Sequence, residues 1–328
     1  MTRQGSRRGA SSTERIAPFS ETFRRKIPSG LIAGVPKPVK QALGRTFADV
    51  RARTEFARMM PTFMIAGAQR SGTTALYEYL AAHPAVARAA VHEIHFFDFN
   101  FHRGLRWYRS HFPLRPLREY IDGAGRRGKI TGEGTPYYMF HPLAMDRVAA
   151  TLPDIRLLFV LRNPVERAHS HYHRERLTGF ETLSFEDAID EEPARLDGEE
   201  EKIRADSGYY SFNHQHFSYV SRGLYARQLE NVFSLFPRDH IMVVASEDLW
   251  SNTAKVYARI LDFLGLPAHH ISRFPQIRGA PRLNTSGPYQ QMRPETRERL
   301  VAVFHEPNQE LYRLLQMDLG WERDSRPG

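Results

Sequence analysis

Two glycines, with hydroxyls and one cation between and after them, are the first residues here that could do chemistry: Gly67-Ala-Gln-Arg70-Ser71-Gly72-Thr73-Thr74. Glycine lets the backbone turn through positive φ and lets a ligand approach closely. The free N–H groups opening a following helix, with the hydroxyls of Ser71, Thr73 and Thr74, then make a cradle for a phosphate-like anion. A P-loop kinase or ATPase would read G-x-x-x-x-G-K-S/T, with lysine directly after the second glycine. That position is Thr73, and the cation stands inside the loop as Arg70.

Two further stretches bear on the site. In His92-Glu93-Ile94-His95-Phe96-Phe97-Asp98 an extended backbone puts Glu93 and His95 on one face and sends Ile94 and Phe96 toward a core. Taken alone, this reads as a strand end with a solvated Glu and His. In Leu161-Arg162-Asn163-Pro164 the arginine ends an apolar run, and Asn-Pro begins a helix with the cap and the proline in their favoured places. Ligands bind at that edge of an open parallel sheet. Arg162 offers a bidentate fork, and Ser170, about two turns into the helix, a short hydroxyl donor.

The elements that must position these groups are legible in outline. Thr62 to Ala66 has strand character, and the helix from Ala75 to Ala82 is stopped by His83-Pro84. Ile155 to Leu161 is apolar but for Arg156 near its start and predicts a parallel strand buried on both faces. Ile130 to Glu133 reads as a strand end entering a turn at Pro136, and Ile241 to Ala245 as another strand. Helical patterns cover Tyr219 to Phe236 and Thr253 to Leu264, whereas Glu181 to Tyr210, with its acidic run at Glu199, reads as a solvated or mobile segment near an acceptor cleft. Arg167, His169 and His171 read as helix-surface residues. The two histidines, two positions apart on a helix, face different directions and make no metal site.

R-S-G-T-T-x-L followed by the histidine-proline stop resembles the 5′-phosphosulfate loop of sulfotransferases that use 3′-phosphoadenosine 5′-phosphosulfate (PAPS), many of which have lysine where Arg70 stands. His92 to Asp98 is similar to the K-E-x-H-F-F-D segment of the heparan sulfate O-sulfotransferase type and its bacterial relatives, with His92 at the lysine position. Gly104-x-x-Trp107-Tyr108 and Gly132-Glu133-Gly134-Thr135-Pro136 resemble two further segments, the latter with Gly134 where several members have lysine. Arg162-Asn163-Pro164-x-x-Arg167-x-x-Ser170-x-Tyr172 resembles the 3′-phosphate motif. Weaker likenesses at Glu247-Asp248-Leu249 and Leu319-Gly-Trp321 extend the match to roughly residues 62 to 321.

The resemblance implies an α/β fold, P-loop-like and three-layered, with a central parallel β-sheet flanked by helices. It implies PAPS as sulfonate donor, no required metal, and Glu93 as catalytic base with His95 assisting and Arg70 holding charge at the transferring group. Donor contacts would come from Arg70, Ser71, Gly72, Thr73 and Thr74, and from Arg162 and Ser170 at the 3′-phosphate. Arg278 and Arg282 occupy the place of a basic loop closing over that phosphate. His92, when protonated, could replace the missing lysine. Glu133 ranks below Glu93 as a base and suits a partnership with an arginine. The acceptor would be a hydroxyl on a saccharide or glycolipid, with aromatics around Phe96, Trp107 and Tyr137 suited to sugar rings, though a phenol or peptide tyrosine would also fit them.

The chain has 328 residues, no cysteine and a formal charge of +9. Residues 1 to 60 hold thirteen Lys and Arg against four Asp and Glu, so the basic excess belongs to this leader and the remainder is neutral. A nucleic-acid partner is therefore not expected. We divide the chain into a partly disordered basic leader (1–60), a sulfotransferase domain (61–322) and a short tail (323–328). Apolar positions at helical spacing from Val39 to Ala57 suggest an amphipathic helix that could touch an anionic membrane through residues 39–58, or pack on the body instead. With no apolar run of membrane-spanning length and no cysteine, a cytoplasmic enzyme is expected. Two rival readings remain at this level. One is a P-loop nucleotide kinase or ATPase; the other is a catalytically inactive relative acting through its leader.

Overall fold

The computed structural model describes residues 53–115, 128–271, 274 and 291–321, all of which belong to one unit, Gly44–Gly328. Its sheet has four parallel strands among the described residues: β1 (Phe63–Gly67), β2 (Gly132–Glu133), β3 (Arg156–Leu161) and β4 (Ile241–Ala245), in the order β2-β1-β3-β4. Around it lie α1 (Thr73–Ala81), α2 (Gly104–Arg109), α3 (Ala144–Thr151), α4 (Pro164–Thr178), α5 (Phe185–Asp190), α6 (Glu192–Leu196), α7 (Glu199–Ala205), α8 (Phe212–His216), α9 (Tyr225–Leu235), α10 (Ser246–Ser251), α11 (Thr253–Phe263) and α12 (Pro294–Leu315).

Alternation along the strands divides the core into two layers. Phe63 and Ile65 of β1 and Leu158 and Val160 of β3 pack with α1 and α11. Met64, Ala66, Leu157, Phe159 and Leu161 point the other way, against α3, α9 and the C-terminal turns of α12. Every residue named is buried, which is why these strands read as unbroken apolar runs. Each large side chain so buried contributes about 1.5–3 kcal/mol. Truncating Leu158, in the central strand, to alanine would cost about 2–5 kcal/mol. The expected α/β architecture, a parallel sheet between two helical layers, is the one found.

Helix α4 is set by its own sequence. The Asn163 side chain accepts from Val165 N at 3.0 Å, Pro164 takes the first position, and Gly179 closes the last turn with φ of 76°. Its burial is not. Arg167, His169 and His171 are buried, because α4 is covered by α5, the segment around Phe217–Tyr219 and the N-terminal half of α12. The reading of these three as surface residues is thus corrected.

Glu181 to Tyr210 also differs from expectation. It holds the helices α5, α6 and α7, and three of its carboxylates, Glu181, Glu192 and Glu199, are buried rather than solvated. Glu181 accepts from Arg195 Nη1 at 2.6 Å and from Tyr219 OH at 2.9 Å, while Glu192 accepts from the backbone of Val220 and Ser221 at 2.6 and 2.8 Å. A charge run shows no partners when those partners lie far along the chain.

Candidate active site

The loop after β1 carries the first set of expected residues. Gly67 has no room for a side chain: a Cβ there would stand 2.5 Å from Met139 Sδ. Arg70 and Gly72 take φ of 71° and 102°, and Gly72 caps α1. Ser71 and Thr73 are buried and Thr74 is exposed. The Ser71 hydroxyl is buried without a hydrogen-bond partner, an orphan beside the open N–H groups of the helix start. Such a site fits an anion.

Strand β3 and helix α4 deliver the second set to the same place. Arg70 Nε donates to Ser170 Oγ at 3.1 Å, and Arg162 Nη1 lies 3.5 Å from the Arg70 carbonyl oxygen. Burial, then the charges of Arg174 and Arg162, push the Arg70 pKa down to about 10 against the opposing pull of Glu175. It is still a full cation at neutral pH, and the crowding of positive charge favours a bound anion. Arg162 also lines a cavity of about 510 Å³ with Asn163, Glu247, Trp250 and Arg297. The Trp250 indole is 48% exposed, and its edge lies 3.1 Å from where a Cβ at Gly72 would be.

The third set is a chain of three side chains. His95 Nε2 lies 3.5 Å from Glu93 Oε2, and His95 Nδ1 is 2.6 Å from Asp98 Oδ2. Burial would push the Glu93 pKa up, but His95, His92 and Arg174 outweigh it and hold the carboxyl below the usual range. Burial likewise opposes charge on His95, yet Asp98 and Glu93 raise its pKa well above the ordinary value. The arrangement is an ionised carboxylate held by an imidazolium that a second, buried carboxylate fixes. The strip is irregular rather than a strand, but the expected alternation holds: Ile94 and Phe96 are buried, and Glu93 is 41% exposed.

The sequence model of the sulfotransferase domain matches residues 60–302. The chain belongs to the sulfotransferase family. Heparan sulfate glucosamine 3-O-sulfotransferase 6 of Mus musculus is 31% identical over 287 residues, covering 81% of this chain and 75% of the relative. The membrane-associated sulfotransferase kil1 of Dictyostelium discoideum is 27% identical over 329 residues, covering 80% and 67%. Among solved structures, a sulfotransferase from Alicyclobacillus acidocaldarius superposes with a TM-score of 0.59 at 27% identity, over 80% of this chain and 99% of that one. The protein is a transferase, and the kinase or ATPase reading is set aside.

Other expectations about this sulfotransferase are corrected by position. Burial lowers the His92 pKa and so works against its use as the missing cation, though its Nδ1 lies 3.8 Å from Glu93 Oε1; its Nε2 is buried without a hydrogen-bond partner. Among the described residues Glu133 has no arginine partner; Tyr108 OH and Thr135 Oγ1 donate to it at 2.7 and 2.6 Å. Phe96 and Tyr137 are buried in the protein and Trp107 only partly so; beside His95 the aromatic surface comes from Phe99, stacked on His95 at 5.3 Å, and the exposed Tyr210, 5.1 Å further on. Arg278, Arg282 and most of residues 39–58 lie outside the described residues.

Sequence reasoning passed over Asp98, Trp250 and Arg174 as site residues. Asp98 closes the segment that resembles K-E-x-H-F-F-D, and its spacing to His95 was the available signal. Arg174 stands one turn beyond Ser170 on α4, exposed and, among the described residues, without a hydrogen bond or ion pair. Among the described residues no group of three or more His, Cys, Asp or Glu could hold a metal ion, and no helix is long and apolar enough to cross a membrane.

Proposed function

We propose that this sulfotransferase moves the sulfonate of PAPS to a saccharide hydroxyl by in-line displacement, with Glu93 as base. The observation that carries the reading is the meeting of Arg70 and Ser170 at 3.1 Å, which joins the anion loop to the helix that follows Arg162; the charge of Arg174, on the same helix, acts on both Arg70 and the Glu93 of the Glu93–His95–Asp98 chain. The orphaned Ser71 hydroxyl, the start of α1 and the cavity beside Arg162 suit a nucleotide carrying phosphate groups at both ends of its ribose.

In this reading Arg162 and Ser170 bind the 3′-phosphate, Trp250 offers a face to the base, and Ser71, Gly72, Thr73 and Thr74 cradle the phosphosulfate. The donor supplies the sulfonate and leaves as adenosine 3′,5′-bisphosphate (PAP). The acceptor oxygen forms a bond to sulfur as the bond from sulfur to the phosphate oxygen breaks, and the hydroxyl proton passes to the Glu93 carboxylate. Arg70 and the loop amides hold the negative charge that develops on the leaving oxygen. Arg70 donates hydrogen bonds but gives up no proton. Glu93 is ionised at neutral pH, so it can take the proton as the new bond makes the hydroxyl acidic. Phe99 and Tyr210 offer the acceptor ring an aromatic face, and the names of the 3-O-sulfotransferase relatives support a saccharide.

The test has two arms. Calorimetric titration with PAP and with ATP, each with and without magnesium, should give metal-independent PAP binding and weak ATP binding. Labelled PAPS offered with heparosan, N-sulfated heparosan and a glycolipid should then label one of them, while Glu93→Gln keeps PAP affinity and loses transfer. Turnover by Glu93→Gln at the native rate would remove Glu93 as base; magnesium-dependent preference for ATP would overturn the donor assignment.

A further inference from the structure

Residues 94–97, which hold His95 and follow directly on Glu93, belong to no strand of the sheet. Their backbone N–H groups still need acceptors, since burying them unpaired is costly. Two side-chain oxygens supply these. Thr135 Oγ1 accepts from Ile94 N at 3.1 Å and lies 3.5 Å from His95 N. Tyr138 OH accepts from Phe96 N at 2.8 Å and lies 3.4 Å from Phe97 N.

A hydroxyl has one proton and two lone pairs, so it can face an N–H only if its own proton is directed elsewhere. Both of these hydroxyls face the same carboxylate. Thr135 Oγ1 donates to Glu133 Oε2 at 2.6 Å, and Tyr138 OH lies 3.4 and 3.5 Å from its two oxygens. Tyr108 OH, from α2, completes the set at 2.7 Å. Glu133 is fully buried at the end of β2, where it pairs in register with Met64 of β1. Among the described residues it has no ion-pair partner.

We propose that Glu133 is a positioning residue: by drawing the protons of Thr135 and Tyr138 toward itself, it turns their lone pairs onto the 94–97 backbone and so aims Glu93 and His95. The carboxylate stands in for a neighbouring strand and ties the reacting strip to the sheet. The hydrogen-bond geometry holds whatever the chemistry; its catalytic consequence rests on the sulfonate-transfer reading above.

The variants that test it are Thr135→Val, which removes the hydroxyl at constant shape, Thr135→Ser, which keeps it, and Glu133→Gln, whose amide must donate to one of the hydroxyls and reverse it. The measurements are hydrogen exchange of the 94–97 amides, PAP affinity by calorimetry, and turnover of labelled PAPS with the acceptor labelled in the panel above. Thr135→Val and Glu133→Gln should speed exchange at 94–97 by at least about tenfold and lower kcat by about 10- to 100-fold, with PAP affinity and acceptor KM within about threefold. Thr135→Ser should match the native protein in all three. Native exchange at 94–97 in Thr135→Val, or equal damage from Thr135→Ser, would overturn the proposal, as would a kcat loss matched by lost PAP affinity. If the native protein transfers no sulfonate, the functional reading fails by itself, and the exchange measurement still decides whether this network holds the strip.

Discussion

His92 Nε2 stands 2.9 Å from where a Cβ on Gly134 would lie, and Gly134 N donates to the His92 carbonyl at 3.1 Å. These are the two positions at which a lysine of the resembled segments is replaced by a residue other than arginine. They are one feature: the imidazole, packed edge-on against Tyr77 at 4.5 Å, fills the space over a residue that has no side chain. Gly134→Ala should therefore push the His92 ring toward Glu93 and cost about 1–3 kcal/mol of stability. Adding His92→Ala should recover most of that loss in Tm. Simple additivity of the two substitutions would show that the contact does not couple them.

His95 should give the site an alkaline limit. Its folded pKa is raised by Asp98 and Glu93 despite burial. The stabilisation this represents is fully present below the unfolded value and is lost as pH rises through the raised folded value. Tm should fall over that range, and His95→Gln should flatten the fall. Asp98→Asn removes the nearer carboxylate, so the imidazole should titrate at lower pH by NMR, and the alkaline limb of the rate should move with it. A limb that stays put in Asp98→Asn would exclude His95 as its source.

Arg174 acts at a distance on both halves of the site, lowering the pKa of Arg70 and of Glu93. Because it is exposed, salt should screen it. Arg174→Gln is expected to lower kcat/KM by about tenfold in dilute buffer, equivalent to about 1.4 kcal/mol, and by much less near 1 M salt. An effect independent of salt would point to packing instead of charge.

Arg162 and Trp250 share a cavity but should divide the nucleotide between them. Arg162→Ala should weaken PAP binding by about 10- to 100-fold, the range of a charge-assisted hydrogen bond, and leave adenosine 5′-phosphosulfate, which lacks the 3′-phosphate, almost unaffected. Trp250→Ala should weaken both nucleotides alike by about 1–3 kcal/mol, the usual contribution of base stacking. Quenching of indole fluorescence by PAP, lost in Trp250→Phe, is the direct readout. Equal loss of both nucleotides in Arg162→Ala would move the 3′-phosphate elsewhere.

Local chemistry is what the sequence by itself determined. Unbroken apolar runs specified β1 and β3, Asn163-Pro164 specified the start of α4, and the glycine spacing specified a loop that opens a helix, since each depends on neighbours within a few residues. From these the sheet, the family likeness and the residues from Arg70 to Ser170 could be read. Only the tertiary structure decided the rest, because burial and pairing depend on elements distant in sequence. The polar face of α4 looked solvated until α5 and α12 covered it. Glu133 looked like a partner for an arginine until three hydroxyls surrounded it, and His92 looked like a lysine substitute until burial made its charged form costly. Arg174 showed no signal at all, for its charge acts on Arg70, far back along the chain, only once folding brings the two near.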